Sequence, residues 1–178
     1  MRDLCNSIAY CEEHILHFFF LAGADFVMGP DADPSVRNVI GIAKANPEIG
    51  KKVVHARHLG GRMLHIASGK SIHPVTAVTG GYSKPMTEGE RQKLLPMAEE
   101  MLEFAKFAIK WAKEEIFPKY LDVVKTVGVI NTGFMGTVDD EGGFNCYQGL
   151  IRLMKPDGSY IDFPVEKYTD YIEEKVLD

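Results

Sequence analysis

No apolar run in this chain is long enough to span a membrane as a helix: the longest, Ile15 to Val27, is interrupted by His17 and Asp25. Cysteine is scarce. Cys5, Cys11 and Cys146 are too few and too irregularly spaced for a disulfide framework. On a helix Cys5 and Cys11 would lie about 9 Å apart along the axis and face different ways, so they could neither pair nor share a metal. An excess of positive charge is also missing. Lys and Arg number 20 against 25 Asp and Glu, which excludes a global basic field for nucleic acid or an anionic membrane. The start, MRDLCNSIAYCEEH, is polar and acidic and unlike a secretory signal. The cysteine usage makes a reducing cytoplasm the expected compartment. No glycine-rich phosphate loop and no Gly-x-Ser-x-Gly elbow occurs.

What is present is ordinary globular material, 46% hydrophobic and 25% charged over 178 residues, enough for about one domain. Leu4, Ile8, Cys11, Ile15, Phe18 and Ala22 advance by three or four, which predicts a helix from about Asp3 to Val27. The run GPDADP ends it. A short helix is expected over Ser35 to Ala45. Asn46 then caps a longer one from Pro47 to Ser68, with Gly60-Gly61 as a weak point inside and Gly69 as its stop. Thr87 and Glu90 form a capping box for a further helix. Its inner stripe is Leu94, Ala98, Met101, Ala105, Ala108 and Ala112, widened by Leu95, Leu102, Ile109 and Ile116. Pro96 is expected to kink or divide it. The small alanines imply that another helix approaches closely.

Near Lys125 the character changes to β-branched and aromatic residues, with Pro156-Asp157-Gly158 as a turn. The expected fold class is mainly α, a helical bundle with a small antiparallel β unit near the C-terminal end. It forms a single domain over 1–178: helical over 1–124, β over 125–163, and a terminal helix over 164–178.

Histidine offers the only metal signal. His55, His58 and His65 fall within about 80° on one helix face, but Arg62 shares that stripe and no Cys or Asp lies nearby in sequence. The plain reading is a polar or interface face. His14 and His17 share a face without the Glu-x-x-His pattern of a helical di-iron site, and read as a pair packed at a helix interface.

The stretches LHFFFLAGADF, GKSIHPV and GGYSKP, in that order, resemble the large subunit of nickel–iron hydrogenases, as do GFNCYQGLIRLMKPDGSYIDF and YTDYIEEKV downstream. The similarity covers nearly the whole chain. It is greatest to the cytoplasmic branches that include the methyl-viologen-reducing, deazaflavin-reducing and NAD(P)-linked enzymes. It implies part of the hydrogenase large-subunit fold, and H2 = 2 H+ + 2 e− as the activity of the whole enzyme. The family holds nickel and iron with four cysteines in R-x-C-G-x-C and D-P-C-x-x-C motifs. Neither motif occurs here. The chain is therefore expected to be an internal piece of that subunit, binding no metal or cofactor and inactive alone.

The expected partners are the small iron–sulfur subunit and the remainder of the large subunit, with self-association of exposed apolar surface. The rival reading is a non-catalytic helical interaction protein derived from the same scaffold. The resemblance places His73 near the partner's closest iron–sulfur cluster, where a histidine can donate to cluster sulfur. Pro74 would hold His73 extended and Gly80-Gly81 would admit close backbone approach. His17 completes the set of interface candidates. Where the family often has proline before the double glycine, this chain has Thr79.

Overall fold

The computed structural model describes residues 1–176, in two compact units that divide between Val124 and Lys125. In the first, α1 (Arg2–Ile15) runs through a π-helical stretch, Leu16–Ala22, directly into α2 (Gly23–Met28). The expected helix is there. Its π stretch is invisible to a 3.6-residue pattern. Gly23 suits that stretch, because a Cβ there would lie 2.8 Å from the Phe18 carbonyl oxygen. The short helix α3 (Val39–Ala45) starts later than expected. Asn38 is its cap, accepting from the Ile40 and Gly41 amides.

Helix α4 (Pro47–Ser68) has the predicted bounds and ends on Gly69 at φ 77°. Asn46 stands at its N-cap without a side-chain bond. Gly60-Gly61 is not a weak point. A Cβ on Gly60 would lie 2.8 Å from Glu12 Cγ, so the glycine is where α1 and α4 cross closely. Arg57 locks the crossing, donating to the Glu12 backbone oxygen at 2.9 Å and pairing with its carboxylate.

Helix α5 (Glu88–Trp111) starts on the expected box, with Thr87 Oγ1 accepting from the Glu90 amide and Glu90 accepting from the Thr87 amide. It runs through Pro96 undivided; the carbonyl freed by the proline belongs to Gln92, an exposed residue that water can reach. A second π stretch, Ala112–Ile116, leads into α6 (Phe117–Thr126), and the Phe117 amide bonds back five residues to Ala112. Pro118 explains it: a proline cannot donate to residue 114, and the wider turn absorbs the clash. The core of this unit joins Cys5, Ile8, Ile15 and Phe19 to the inner faces of α4 and α5, with Trp111 stacked on Phe19 at 5.8 Å.

Between α4 and α5 lies a two-residue hairpin, β1 (Ala77–Val78) with β2 (Gly81–Tyr82), too short to announce itself in a hydrophobic pattern. The second unit is an antiparallel sheet of β3 (Phe134–Val138), β4 (Leu150–Met154) and β5 (Tyr160–Phe163), in that order. Arg152 faces Asp162 across β4 and β5 in a two-pronged pair at 2.8 and 2.7 Å. Residues 127–133 were expected in this sheet but form no strand. Val127, Val129 and Ile130 are exposed and have no neighbouring strand to pack on.

The terminal helix expected over 164–178 is present as a 3₁₀ helix, Val165–Asp170, with no helix over 171–176; Leu177 and Asp178 lie outside the described residues. Tyr171 stacks on Phe163, the most buried residue of the sheet, at 4.2 Å, and a short isolated helix could not compete with that contact.

Candidate functional site

The segment from Gly69 to Thr87 closes on itself. Ser68, fully buried, donates to the Leu64 carbonyl at 2.7 Å and approaches the Lys70 oxygen at 3.1 Å. Thr76, also buried, accepts the Ser83 amide at 2.8 Å. The pinned ends leave a tip, Ile72-His73-Pro74-Val75, standing in solvent. Apolar residues exposed at a loop tip are a feature of binding surfaces.

The hairpin is clamped from two sides. Tyr82 donates its hydroxyl to the Ala67 carbonyl at 2.8 Å and Lys84 donates to the Ile66 carbonyl at 2.9 Å, so both serve the open carbonyls at the end of α4. Tyr82 also meets the Cys5 thiol at 3.0 Å. Burial first, and then that thiol, hold the phenol above its ordinary pKa. Arg2 reaches over from α1 to the Val78 carbonyl and, at 2.6 Å, to the Gly81 carbonyl. Lys84 then joins Glu90 at 2.7 Å. Its hydrogen bond, followed by those from Thr87, pulls the Glu90 carboxyl down to about 2.

Four of the expected site residues lie on this loop and hairpin. His73 is exposed at φ 55°, the one non-glycine residue with positive φ among the described residues. The expectation that Pro74 holds it extended is therefore wrong. The loop must reverse between Ser68 and Thr76, and histidine is among the residues that tolerate the left-handed region. Pro74 is exposed beside it. Gly80 has φ 82°, while Gly81 does not, and a Cβ on either would meet nothing within 4 Å. Inside this chain the pair serves a turn, not a close approach. Thr79 sits where a proline would stiffen that turn.

His17 lies elsewhere. It is exposed on the rim of an apolar groove of about 580 Å³ between α1 and α5, to which none of the four loop residues contributes. Of the histidine stripe, His55 has an ionic partner, Glu100 at 2.7 Å, and His58 and His65 have none among the described residues. Arg2, Cys5, Tyr82 and Lys84 went unmarked in the sequence because each acts through a backbone carbonyl or a single distant side chain.

The cysteines do not suit a nickel–iron centre. Cys5 is buried against Tyr82, Cys11 is exposed, Cys146 belongs to the other unit, and no three His, Cys, Asp or Glu converge among the described residues. Among those residues no helix is long and apolar enough to cross a membrane.

No family model matches the chain. Individual relatives do. It is 40% identical over 178 residues to a subunit of the vhu F420-non-reducing hydrogenase of Methanocaldococcus jannaschii, covering 99% of this chain and 42% of that protein. The corresponding subunit from Methanococcus voltae matches at the same identity and coverage. A solved NAD+-reducing NiFe hydrogenase in its H2-reduced state superposes with a TM-score of 0.87 at 30% identity, over 95% of this chain and 38% of that one. The chain thus spans less than half the length of the relatives it matches. By sequence and by fold, it belongs to the large-subunit family of nickel–iron hydrogenases.

Proposed function

We propose that this chain is a central scaffold segment of a nickel-dependent hydrogenase large subunit, in a cytoplasmic enzyme whose whole catalyses H2 = 2 H+ + 2 e−. The observation that carries the reading is similarity over 99% of the chain without either cysteine motif that anchors the metals. Thiolates are what a nickel–iron centre needs, and histidines on one helix face do not replace them. The segment's own work is then to build helices around a centre held by other parts of the subunit, and to present a docking loop.

That loop is the Ile72–Val75 tip with the Gly80-Gly81 turn, and its partner is the small iron–sulfur subunit. His73 is the residue suited to donate a hydrogen bond to cluster sulfur, and the bare glycine turn leaves room for a partner's backbone. Arg2, Tyr82 and Lys84 hold the hairpin that carries the turn. The test uses the purified chain and the isolated iron–sulfur subunit of the M. jannaschii hydrogenase. The chain alone should contain no stoichiometric nickel or iron and reduce no viologen with hydrogen, yet should bind that subunit, and His73→Ala should weaken binding. Stoichiometric metal with hydrogen-dependent dye reduction would overturn the scaffold reading. Failure to bind, or binding indifferent to His73, would overturn the docking reading.

A further inference from the structure

Residues 49–87 contain six Lys and Arg, four His and no Asp or Glu. Helix α5 is the contrast, with five glutamates against four cations over a similar length. Four of the six cations have a use inside the chain. Lys51 pairs with Glu48, Arg57 with Glu12 and Lys84 with Glu90, while Lys52 lies over the Phe107 ring at 4.4 Å. Arg62 and Lys70 are left. Both are exposed, and neither has an ionic partner among the described residues. They are also neighbours. A Cβ on Gly61 would lie 3.7 Å from Ser71 Cβ, so the chain beyond the Gly69 stop folds back onto the turn of α4 that carries Arg62. Lys70 precedes that contact and His73 follows it.

We propose, building on the docking loop above and resting on that reading, that Arg62 and Lys70 form a charged rim to the His73 surface, and that this rim fits an acidic face of the iron–sulfur subunit. Docking then extends from the loop onto the outer side of α4, where the exposed His58 and His65 stand one turn to either side of Arg62. Helix polarity does not account for the two cations. A helix C-terminus favours positive charge only within its last turn, which covers His65 but neither Arg62, nearly two turns from the end, nor Lys70, beyond it. Pairing within the chain does not account for them either. Glu48 and Glu100 serve Lys51 and His55 nearer the start of α4, and Glu12 serves Arg57. Exposed charges at a rim act on encounter more than on the lifetime of a complex, so the signature is a salt-dependent association rate.

The test measures association of the full chain with the isolated iron–sulfur subunit of the M. jannaschii hydrogenase at low and at high salt. Arg62→Glu with Lys70→Glu should slow association and weaken binding roughly tenfold or more at low salt. Most of that difference should vanish in about 1 M salt, where the screening length is about 3 Å. Lys44→Glu with Lys51→Glu makes the same charge change at exposed positions around the start of α4 and should have little effect. If the reversed variant loses helix by circular dichroism, Arg62→Gln with Lys70→Gln is read in its place and should weaken binding about threefold. Equal losses from the two ends of α4, or a loss that salt leaves untouched, overturn the charged rim. So does binding that depends on His73 but not on Arg62 and Lys70, and the docking loop then stands without it. Dependence on the two cations but not on His73 keeps the rim and removes the histidine. A subunit that does not bind at all overturns loop and rim together.

Discussion

Two glycine pairs look alike in the sequence and do opposite things in the fold. Gly60-Gly61 sits inside α4, and Gly80-Gly81 closes the hairpin between β1 and β2. At the first pair the backbone is plain helix and what matters is space: Glu12 of α1 lies where a Cβ on Gly60 would go. At the second pair space is free and what matters is φ, positive at Gly80. A glycine therefore reports either a close approach or a conformation, and neighbouring residues in the chain do not say which. The partner in each case comes from far away in sequence, Glu12 at the first pair and Arg2 at the second.

Substitution should separate the two kinds of glycine. Gly60→Val must displace Glu12 and loosen its bond to Arg57, so it should destabilise the fold by roughly 1–3 kcal/mol in urea unfolding. Gly61→Ala meets only Ser71, its Cβ at 3.7 Å and its Oγ at 3.9 Å, both ordinary contacts, and gains helix propensity, so it should stabilise by about 0.5–1 kcal/mol. Equal effects at the two positions would contradict the crossing-point explanation. In the hairpin the order of causes inverts. Gly80→Ala should cost about 1 kcal/mol through φ alone. Gly81→Ala should leave stability within about 0.5 kcal/mol, yet weaken binding of the iron–sulfur subunit if a partner backbone lies against it.

The helices were legible because their signals are local. The limits of α4, the stop at Gly69, the Thr87–Glu90 box and the Pro-Asp-Gly turn each rest on a few adjacent residues, and all are found. What could not be read depends on distant partners or on an altered period. The π stretches belong to the second kind, although Pro118 was a usable sign of the one before it. The wrong reading of Gly60-Gly61, the inclusion of 127–133 in the β unit and the length of the helix after Pro164 belong to the first. The His73 loop was legible as a candidate from its residues. Its left-handed backbone and its clamp by Arg2, Tyr82 and Lys84 were not.

Glu12, beside Gly60, and Glu90, in the box that starts α5, are shifted in opposite directions. Burial raises the pKa of Glu12 above the ordinary carboxylate value, against the pull of Arg57. The folded chain therefore holds that proton more tightly than the unfolded one, and this group's contribution falls as pH rises through the raised pKa. Glu90 is the reverse. Held at about 2, against an ordinary 4.5, it contributes stability that is complete above the ordinary value and disappears as pH falls towards 2. Thermal unfolding followed between about pH 2 and 7 should show Glu90→Gln flattening the acid side and Glu12→Gln flattening the change on the other. Thr87→Ala should mimic part of the first effect and cost about 1 kcal/mol at neutral pH through the lost cap. Identical pH profiles for the two glutamate variants would remove the contrast.

His73 carries the smallest stability effect and the sharpest test of what the hairpin region is for. Its ring is at the surface, so His73→Ala should change stability by no more than about 0.5 kcal/mol. Its backbone is another matter. At φ 55° any β-carbon is disfavoured, and His73→Gly should therefore stabilise the isolated chain slightly while removing the same imidazole. The two variants share one loss, the ring, and differ in backbone strain. If the loop exists to present the imidazole to an iron–sulfur partner, both should weaken binding of that subunit and shift the potential of its nearest cluster alike, though their stabilities diverge. If the loop is only a turn between α4 and α5, stability alone should respond, rising for glycine and staying level for alanine. A cluster potential untouched by either variant would strike His73 from the docking surface and leave its backbone geometry as a feature of the turn.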